Sequence, residues 1–401
     1  MHTLFKGLLS GFLPLLLGVM LGFGVIFFYS NFLQKKTDFL SPLGTASETP
    51  LPRVSSKKPV IGFLPYWNIR KSNIPYHLLD FIAYFSLDLD KDGSIKKMDK
   101  HNVNLGWYQL QSERLSNILE TAKKNEVKTM LVVTAFDNEI IDSLTTNPDV
   151  KVKTVQNIVQ IVDKYNFDAV NLDFEYDMTN QVKEGNSQAY AQFIDQLRRE
   201  LQIINPNINI SVDLYANAFI KNFPYQVEVL EEAADYLILM GYDFHQASSA
   251  NAGPVAPLRS NSGKSITHAL EAAIQKDITL EKIILAVPFY GYEWQTVNTD
   301  YAAQTYPNTG VMASYNRVHA LISQKNLEPQ WDFQAMSPWL VYEADNEIKQ
   351  IYFENDESIA LKLQLVNQTQ LGGVAIWALG YEGENATVWS VIEKWRRAEP
   401  K

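Results

Sequence analysis

Eight short apolar runs, rich in β-branched and aromatic residues, recur from residue 59 onward and constrain the fold of this chain most strongly. Helical patterns separate successive runs, a rhythm typical of folds built from βα repeats. Eight such repeats predict a (β/α)₈ barrel of the TIM type, an α/β fold with its active site at the carboxyl ends of the strands. The predicted strands are Val60–Leu64, Phe81–Leu87, Lys128–Thr134, Ala169–Phe174, Ile208–Leu214, Tyr236–Met240, Ile283–Val287 and Gly373–Trp377.

The fourth of these runs carries acidic side chains on one of its two faces. Successive side chains of an extended strand alternate between faces, so three apolar residues share one side and three polar residues share the other. An ionised carboxylate without a partner is costly to remove from water, which leaves two explanations. Either the strand lies at a sheet edge and its polar face is wet, or Asp173 and Glu175 lie at the open end of a barrel, placed for acid catalysis. The apolar residues are Val170, Leu172 and Phe174, and the polar residues are Asn171, Asp173 and Glu175.

The segment from residue 168 to residue 175 reads Asp-Ala-Val-Asn-Leu-Asp-Phe-Glu. It resembles the Asp-Gly-x-Asp-x-Asp-x-Glu signature of glycoside hydrolase family 18, the chitinases and related N-acetylglucosaminidases, and departs from it at Ala169 and Asn171. Five further segments are similar to family motifs and occur in the family's order. They are Val-Ile-Gly-Phe-Leu-Pro-Tyr-Trp (60–67), Ile-Ala-Tyr-Phe-Ser (82–86), Met-Gly-Tyr-Asp (240–243, continued by 252–258), Val-Pro-Phe-Tyr-Gly (287–291) and Gly-Gly-Val-Ala-Ile-Trp (372–377).

The resemblance covers residues 59–395 and implies the same barrel fold. It fails at the third predicted strand, where residues 133–136 read Val-Thr-Ala-Phe and the family often has Ser-x-Gly-Gly. The binding subsite at that strand is therefore left open.

The resemblance also implies a mechanism. Most retaining glycosidases use a carboxylate nucleophile, but family 18 is an exception in which the acetamido oxygen of the substrate attacks the anomeric carbon. Glu175 would be the general acid, Asp173 would orient the acetamido group and stabilise the oxazolinium ion, and Tyr242 would hold the acetamido oxygen. Trp377 would form an apolar floor under the sugar ring. The further substrate-binding residues are Asn171, Asp243, Met240, Tyr66, Phe85 and Tyr290.

Each of these side chains also has a purely structural explanation. Aromatic residues such as Tyr242 and Trp377 commonly pack a core, and Asp243 could cap a loop. Their joint occurrence with Asp173 and Glu175 is what favours a functional role.

Asn171 stands where the signature has its middle Asp. In the family this Asp commonly shares a proton with the following Asp, because two adjacent carboxylates resist joint ionisation. An amide removes that repulsion and can still donate a hydrogen bond to Asp173. Asn at this position also resembles the peptidoglycan-acting and spore-cortex branches of the family, so we expect it to be compatible with activity.

The first 36 residues contain a long apolar segment. No charged residue lies between Lys6 and Lys35, and residues 8–29 are almost wholly apolar, long enough to span a bilayer as a helix. We expect residues 1–36 to be an uncleaved signal anchor, with a cleaved secretory signal as the alternative. Residues 37–57 are expected to form a flexible linker, or alternatively an ordered part of the fold. The catalytic domain would then lie outside the cytoplasm, tethered to the cell membrane by a single span.

The domain predicted for residues 58–398 has one long interruption. The seventh and eighth predicted strands are separated by many more residues than one helix and two loops need. Alternating patterns around Trp339 and Tyr352 favour a small β-rich insertion over residues 293–370, which is similar to the α+β insertion of the family. An insertion of this kind walls the cleft in many family 18 chitinases.

Composition limits the partners. The 401-residue chain has a formal net charge of −10, so the basic footprint expected for nucleic-acid binding is missing. The absence of Cys excludes disulfides and thiolate zinc sites, and the six His lack metal-ligand spacing, so no metal or cofactor is expected.

Two classes of function remain open. The first is a monomeric, membrane-tethered hydrolase of β-1,4-linked N-acetylglucosamine polysaccharides, either chitin or peptidoglycan, with the anchor favouring peptidoglycan. The second is a non-catalytic sugar-binding protein on the same scaffold. The presence of Glu175 favours the enzyme.

Overall fold

Eight parallel strands close into a barrel in the computed structural model, which describes residues 58–177, 184–384 and 387–398. All eight predicted strands are present, with each end within one residue of the prediction, so the predicted barrel is confirmed. In chain order the strands are β1 (Val60–Pro65), β2 (Phe81–Asp88), β3 (Met98–Asp99), β4 (Asn102–Val103), β5 (Lys128–Ala135), β6 (Ala169–Phe174), β7 (Asn209–Tyr215), β8 (Tyr236–Met240), β9 (Ile283–Pro288), β10 (Tyr290–Thr296), β11 (Val311–Ser314), β12 (Gln330–Asp332), β13 (Ser337–Ala344), β14 (Glu347–Tyr352) and β15 (Gly373–Trp377). The barrel order is β1-β15-β9-β8-β7-β6-β5-β2.

Helices link the barrel strands and cover the outside of the barrel. Several begin at a side-chain cap, such as Asp137, which accepts hydrogen bonds from the first free backbone N–H groups. The helices are Leu105–Leu110, Glu113–Lys124, Asn138–Thr146, Pro148–Tyr165, Asn186–Ile204, Ala216–Lys221, Val227–Ala233, Ile266–Gln275, Tyr315–Lys325, Asp356–Gln368 and Thr387–Ala398, with short 3₁₀ turns at Tyr76–Leu78 and Leu280–Lys282.

Side chains of the barrel strands alternate between two cores. One core lies between strands and helices, where Phe174 of β6 stacks on Tyr190 of the helix Asn186–Ile204 with ring centroids 5.1 Å apart. The other fills the barrel interior and includes Phe63, Met130 and Ile238. Because apolar residues occupy both faces, these strands read as nearly continuous hydrophobic runs.

The acidic strand β6 is an interior strand of the barrel. It pairs with β5 on one side and with β7 on the other. Its apolar residues Val170, Leu172 and Phe174 belong to the outer core, so Asn171 and Asp173 face the barrel interior. The explanation that places β6 at a wet sheet edge is therefore wrong.

The first and last strands close the barrel. β1 pairs with both β15 and β2. Near this seam Arg396 of the last helix binds the carboxylate of Asp80 at 2.6 Å, and Asp80 accepts a hydrogen bond from the backbone N–H of Val60 at 2.8 Å. The Lys58 ammonium, almost fully buried, donates to the carbonyl of Leu371.

Between β9 and β15 the chain leaves the barrel and forms a second, five-stranded sheet. Its order is β11-β10-β14-β13-β12, with antiparallel pairing throughout. A small core of its own, including Ala313, Val318 and Ile351, holds this sheet against the helix Tyr315–Lys325. The helix Asp356–Gln368 then returns to pack on β9 and β15.

The predicted anchor (residues 1–36) and linker (residues 37–57) lie outside the described residues and stay predictions. Across residues 58–177, 184–384 and 387–398, none of the helices combines the length and the apolar character needed to cross a membrane.

Candidate active site

Two neighbouring strands direct four polar side chains into the barrel. The Nδ2 group of Asn171 on β6 donates to Ser211 Oγ at 2.9 Å and to Asp213 Oδ1 at 2.8 Å, both on β7. Asn171 is opposite Ser211 in the strand register. Continuing this register by two residues toward the carboxyl ends of the strands brings Asp173 next to Asp213. All four side chains are buried. We call Asp173, Glu175 and Asp213 the carboxyl cluster.

Glu175 follows directly after β6, and its carboxyl group hydrogen-bonds to that of Asp173. Burial, followed by the negative charge of Asp173 and by this hydrogen bond, raises the pKa of Glu175 well above its ordinary value. Burial also raises the pKa of Asp173 well above its ordinary value, and the charge of Asp213 raises it further. The two groups therefore retain protons at a pH where exposed carboxyl groups are ionised.

The carboxyl end of β8 adds a tyrosine and another acid. Tyr242 is half-buried, and burial together with the nearby carboxylates raises the pKa of its hydroxyl, which stays protonated as a donor. Asp243 has a left-handed backbone with φ of 59°, a conformation that Asp tolerates better than most residues. It accepts hydrogen bonds from Tyr290 and, at 3.3 Å, from Tyr292. These bonds fix the β8 loop to the start of the second sheet.

Aromatic side chains from β1, β2 and β15 pack together at the same end of the barrel. The Trp377 ring lies edge-on to Phe85, with centroids 4.6 Å apart, and near Phe63 at 5.9 Å. Trp67, just beyond β1, lies 6.4 Å from Trp377 and remains 43% exposed. We call Trp67, Phe85 and Trp377 the aromatic floor.

The structure brings most of the predicted site residues together. Asp243 and Tyr290 are in direct contact, and the Tyr242 and Tyr290 rings are 6.0 Å apart. Met240 is buried at the end of β8, two residues before Tyr242. The predicted site residues that lie at this end of the barrel are Asn171, Asp173, Glu175, Met240, Tyr242, Asp243, Tyr290, Phe85 and Trp377.

Tyr66, also among the predicted residues, follows β1 and lies edge-on to Trp67, with ring centroids 4.8 Å apart. It packs against the outer core, and burial followed by the charges of Asp88 and Asp99 raises the pKa of its hydroxyl. Trp67 is the residue of this pair that contacts Phe85 and Trp377. Both residues belong to the turn after β1, so strand alternation does not decide which of them makes these contacts.

Asp213 and Tyr292 also belong to this region and are not among the residues predicted from the sequence. The signal for Asp213 was present, because Ser211 and Asp213 are two apart in an otherwise apolar strand and therefore share a face. Tyr292 lies two residues after Tyr290 in the same strand and carried no comparable signal.

The arrangement can donate a proton and stabilise a positive charge at neighbouring positions. A carboxyl group with a raised pKa is protonated near neutral pH and can act as a general acid. The anionic form of the adjacent carboxyl group can stabilise a cation that forms beside it. An exposed aromatic ring such as Trp67 offers a face to the apolar side of a sugar.

A (β/α)₈ barrel with an acidic pair at the end of one strand and aromatic rings at the same end defines a glycoside hydrolase. The sequence model named Glycosyl hydrolases family 18 matches residues 59–382. The chain belongs to this family, and it is a chitinase-like glycosidase.

Curated relatives are distant in sequence. The chain is 25% identical over 288 residues to an uncharacterised glycosylase, YvbX, of Bacillus subtilis. The matched region covers 69% of this chain and 77% of that protein. It is 24% identical over 295 residues to the cortical fragment-lytic enzyme of the same species, covering 69% of this chain and 64% of that enzyme.

Solved structures share the fold. A family 18 chitinase from Cycas revoluta in complex with (GlcNAc)3 has a TM-score of 0.71 at 18% identity, covering 84% of this chain and 99% of that one. The spore cortex-lytic enzyme SleL of Bacillus megaterium has a TM-score of 0.65 at 23% identity, and the match covers 87% of this chain and 78% of that one.

Proposed function

We propose that this enzyme hydrolyses β-1,4-linked N-acetylglucosamine glycans with retention of configuration, with the acetamido oxygen of the substrate as the nucleophile. The observation that carries the proposal is the hydrogen-bonded pair of Asp173 and Glu175 at the open end of the barrel. Glu175 protonates the glycosidic oxygen while the acetamido oxygen attacks the anomeric carbon and the bond to the leaving sugar breaks. Water then opens the cyclic oxazolinium ion and gives a proton back to Glu175.

Three neighbours support this chemistry. In this proposal Asp173 accepts the acetamido N–H and stabilises the oxazolinium charge. Tyr242, whose raised pKa keeps its hydroxyl protonated, donates to the acetamido oxygen. The aromatic floor provides the apolar surface on which a sugar ring packs.

For the substrate we favour the glycan strands of peptidoglycan over chitin. A relative bears the name cortical fragment-lytic enzyme, and Asn171 resembles the peptidoglycan-acting branch. The apolar segment at residues 8–29 fits a protein tethered to a cell membrane, with its barrel on the side where cell-wall polymers lie.

The substrate proposal is tested by offering the full chain peptidoglycan and chitin oligomers side by side and identifying the products by mass spectrometry. We expect products with N-acetylglucosamine at the new reducing end, released faster from peptidoglycan. Cleavage of chitin alone would overturn the preference, and cleavage of neither polymer would overturn the proposed function.

The mechanism is tested separately with a thiazoline analogue of N-acetylglucosamine, which mimics the cyclic intermediate. We expect it to inhibit competitively, because it resembles a species that the site stabilises. Substrates lacking the N-acetyl group at the cleaved sugar should not react. Efficient cleavage of such substrates, with a sugar ester trapped on Asp173, would show a direct nucleophile instead.

A further inference from the structure

The carboxylate that the family signature has at position 171 is replaced by an amide in this chain, and the structure supplies another one nearby. Asp213 lies beside that position on the next strand, β7, two residues closer to the carboxyl end than Ser211, which is opposite Asn171. Neighbouring parallel strands lie about 4.8 Å apart, so inward side chains at the same height are in contact range. Asp213 and Asp173 meet this condition, because their strand register continues from Asn171 opposite Ser211.

The amide of Asn171 holds Asp213 in this place. Its Nδ2 group donates to Asp213 Oδ1 at 2.8 Å and uses its second hydrogen for Ser211 Oγ at 2.9 Å. Asp213 is 6% exposed and Asp173 is 3% exposed, so neither group is solvated. Oδ1 of Asp173 has no hydrogen-bond partner in the described part of the chain. A carboxylate at residue 171 would repel Asp213, whereas an amide binds it.

The titratable groups that act on this pair are acids or neutral hydroxyls, and two of the tyrosines act from the outer core. Glu175 acts on both members, and burial raises the pKa values of both. Nearby tyrosine hydroxyls also have raised pKa values and stay protonated. Because the charges that act on the pair are all negative in the described residues, the two carboxyl groups cannot both be ionised at low cost. The tyrosines are Tyr190, Tyr225 and Tyr242.

We propose that Asp213 is a positioning residue that takes the place of the carboxylate missing at position 171, shares one proton with Asp173 and acts on glycan cleavage through Asp173. The inference rests on the proposed function, in which the Asp173 anion stabilises the oxazolinium ion. A shared proton keeps Asp173 more basic than an isolated carboxylate, and a more basic anion stabilises a neighbouring cation better.

A charge exchange between the two strands tests this role. Asp213→Asn removes the neighbouring charge and keeps the shape of the side chain. The double variant Asn171→Asp/Asp213→Asn returns one carboxylate to the cluster from the other strand, and the amide at position 213 can donate to it. Ser211→Ala is the matched control, because it removes the other hydrogen-bond partner of Asn171 without changing charge.

The first measurement is the pKa of Asp173 in the full chain. It is obtained by titrating the ¹³C NMR signals of labelled aspartate side chains, and the Asp173 signal is assigned as the one that Asp173→Asn lacks. Loss of a neighbouring like charge lowers the pKa of an acid, so we expect a fall of about one unit or more in Asp213→Asn. The double variant should return the pKa toward its wild-type value, and Ser211→Ala should leave it unshifted.

The second measurement is the pH profile of hydrolysis. The acid limb of kcat/KM should move to lower pH in Asp213→Asn and back in the double variant. The kcat of Asp213→Asn should fall by up to about 10-fold, because one pKa unit is a tenfold change in proton affinity, while its KM stays nearly constant. A structural role alone would change activity without moving this limb.

An unshifted Asp173 pKa in Asp213→Asn, or a double variant that behaves like the single one, would overturn the inference. Oligosaccharide binding and circular dichroism show whether each variant is folded. Failure of the proposed function has a different signature, whatever the ¹³C titration shows: either the wild type cleaves neither peptidoglycan nor chitin, or Glu175→Gln hydrolyses glycans as well as the wild type.

Discussion

At the scale of single residues, the site is held together without a cation. Asp173, Glu175, Asp213 and Asp243 all have raised pKa values, with burial as the largest cause. In the described residues, the charges that further raise the pKa values of Asp173, Glu175 and Asp213 belong to other acids. A lysine or arginine in this cluster would stabilise the carboxylates and lower their proton affinity. The absence of such a cation from these interactions lets Glu175 keep a proton, as its proposed role of general acid requires.

The role of Glu175 gives the first prediction. Glu175→Gln keeps the size and most hydrogen bonds of the side chain but cannot donate a carboxyl proton. Turnover should fall by at least about 100-fold, the scale of general acid catalysis, while oligosaccharide binding survives. Steady-state kinetics and calorimetric binding measure the two quantities, with the exposed Glu200→Gln as control.

Most of the site could be predicted because its residues lie in segments with a strong pattern. Asp173 and Glu175 interrupt an apolar strand, and Tyr242 and Trp377 end two others. Asp213 is a lone acid in its strand, and only the register with β6 shows what it contacts. Whether Tyr66 or Trp67 contacts Phe85 and Trp377 depends on the turn after β1, which a pattern of apolar residues does not determine.

At the scale of elements, the barrel strands were predictable and the small hairpin of β3 and β4 was not. A strand buried on both faces must be apolar over its whole length, so sequence marks it clearly. Residues 98–99 and 102–103 are largely exposed and each strand has two residues, so burial imposes no pattern on them. The second sheet was predicted only as part of a small α+β insertion, because the pairing of β10 with β14 joins residues far apart in the chain, which no local pattern marks.

A buried ion pair fixes the chain where it leaves the second sheet. Lys362, in the helix that returns to the barrel, binds Glu354 at 2.7 Å, and both side chains are almost fully buried. The Ser358 hydroxyl donates to the same carboxylate oxygen at 2.6 Å. Buried pairs contribute little net stability, but loss of one partner leaves a charge without compensation.

This pair gives the second prediction. Lys362→Met should lower the free energy of unfolding by about 3 to 5 kcal/mol, because Glu354 is left buried alone. Lys362→Met/Glu354→Gln should recover most of the loss, since no charge then remains. Urea unfolding, monitored by tryptophan fluorescence, measures the free energy of unfolding of both variants. Equal destabilisation in the two variants would mean that packing, not charge, dominates here.

At the scale of the whole molecule, the carboxyl cluster opposes stability at high pH. Its carboxyl groups have higher pKa values in the folded than in the unfolded state, and burial likewise raises the pKa of Glu382, to about 7. Between the unfolded pKa near 4 and the folded pKa the folded state binds more protons, so stability falls as pH rises.

The third prediction follows from this sign. Asp213→Asn should raise the urea midpoint relative to the wild type, and the gain should be larger at pH 8 than at pH 5, although we expect the same variant to hydrolyse glycans more slowly. Sites arranged for catalysis commonly oppose stability in this way. A gain that is equal at both pH values would mean that the Asp213 carboxyl group does not have a raised pKa.

The fourth prediction concerns the proposed tether. If residues 8–29 anchor the chain with its barrel outside the cytoplasm, protease added to intact cells should cut within residues 37–57 and release a soluble domain. Immunoblotting of the medium detects that fragment. Protection of the domain until the membrane is opened would place it on the other side.

The pairing of the first barrel strand with the last has a consequence for how the chain is made. Synthesis proceeds from the amino terminus, so one edge of β1 has no partner until β15, 314 positions later in the register, has emerged. Every shorter chain exposes an open sheet edge, which other chains or chaperones can bind. The barrel can close only after nearly all of the polypeptide is available.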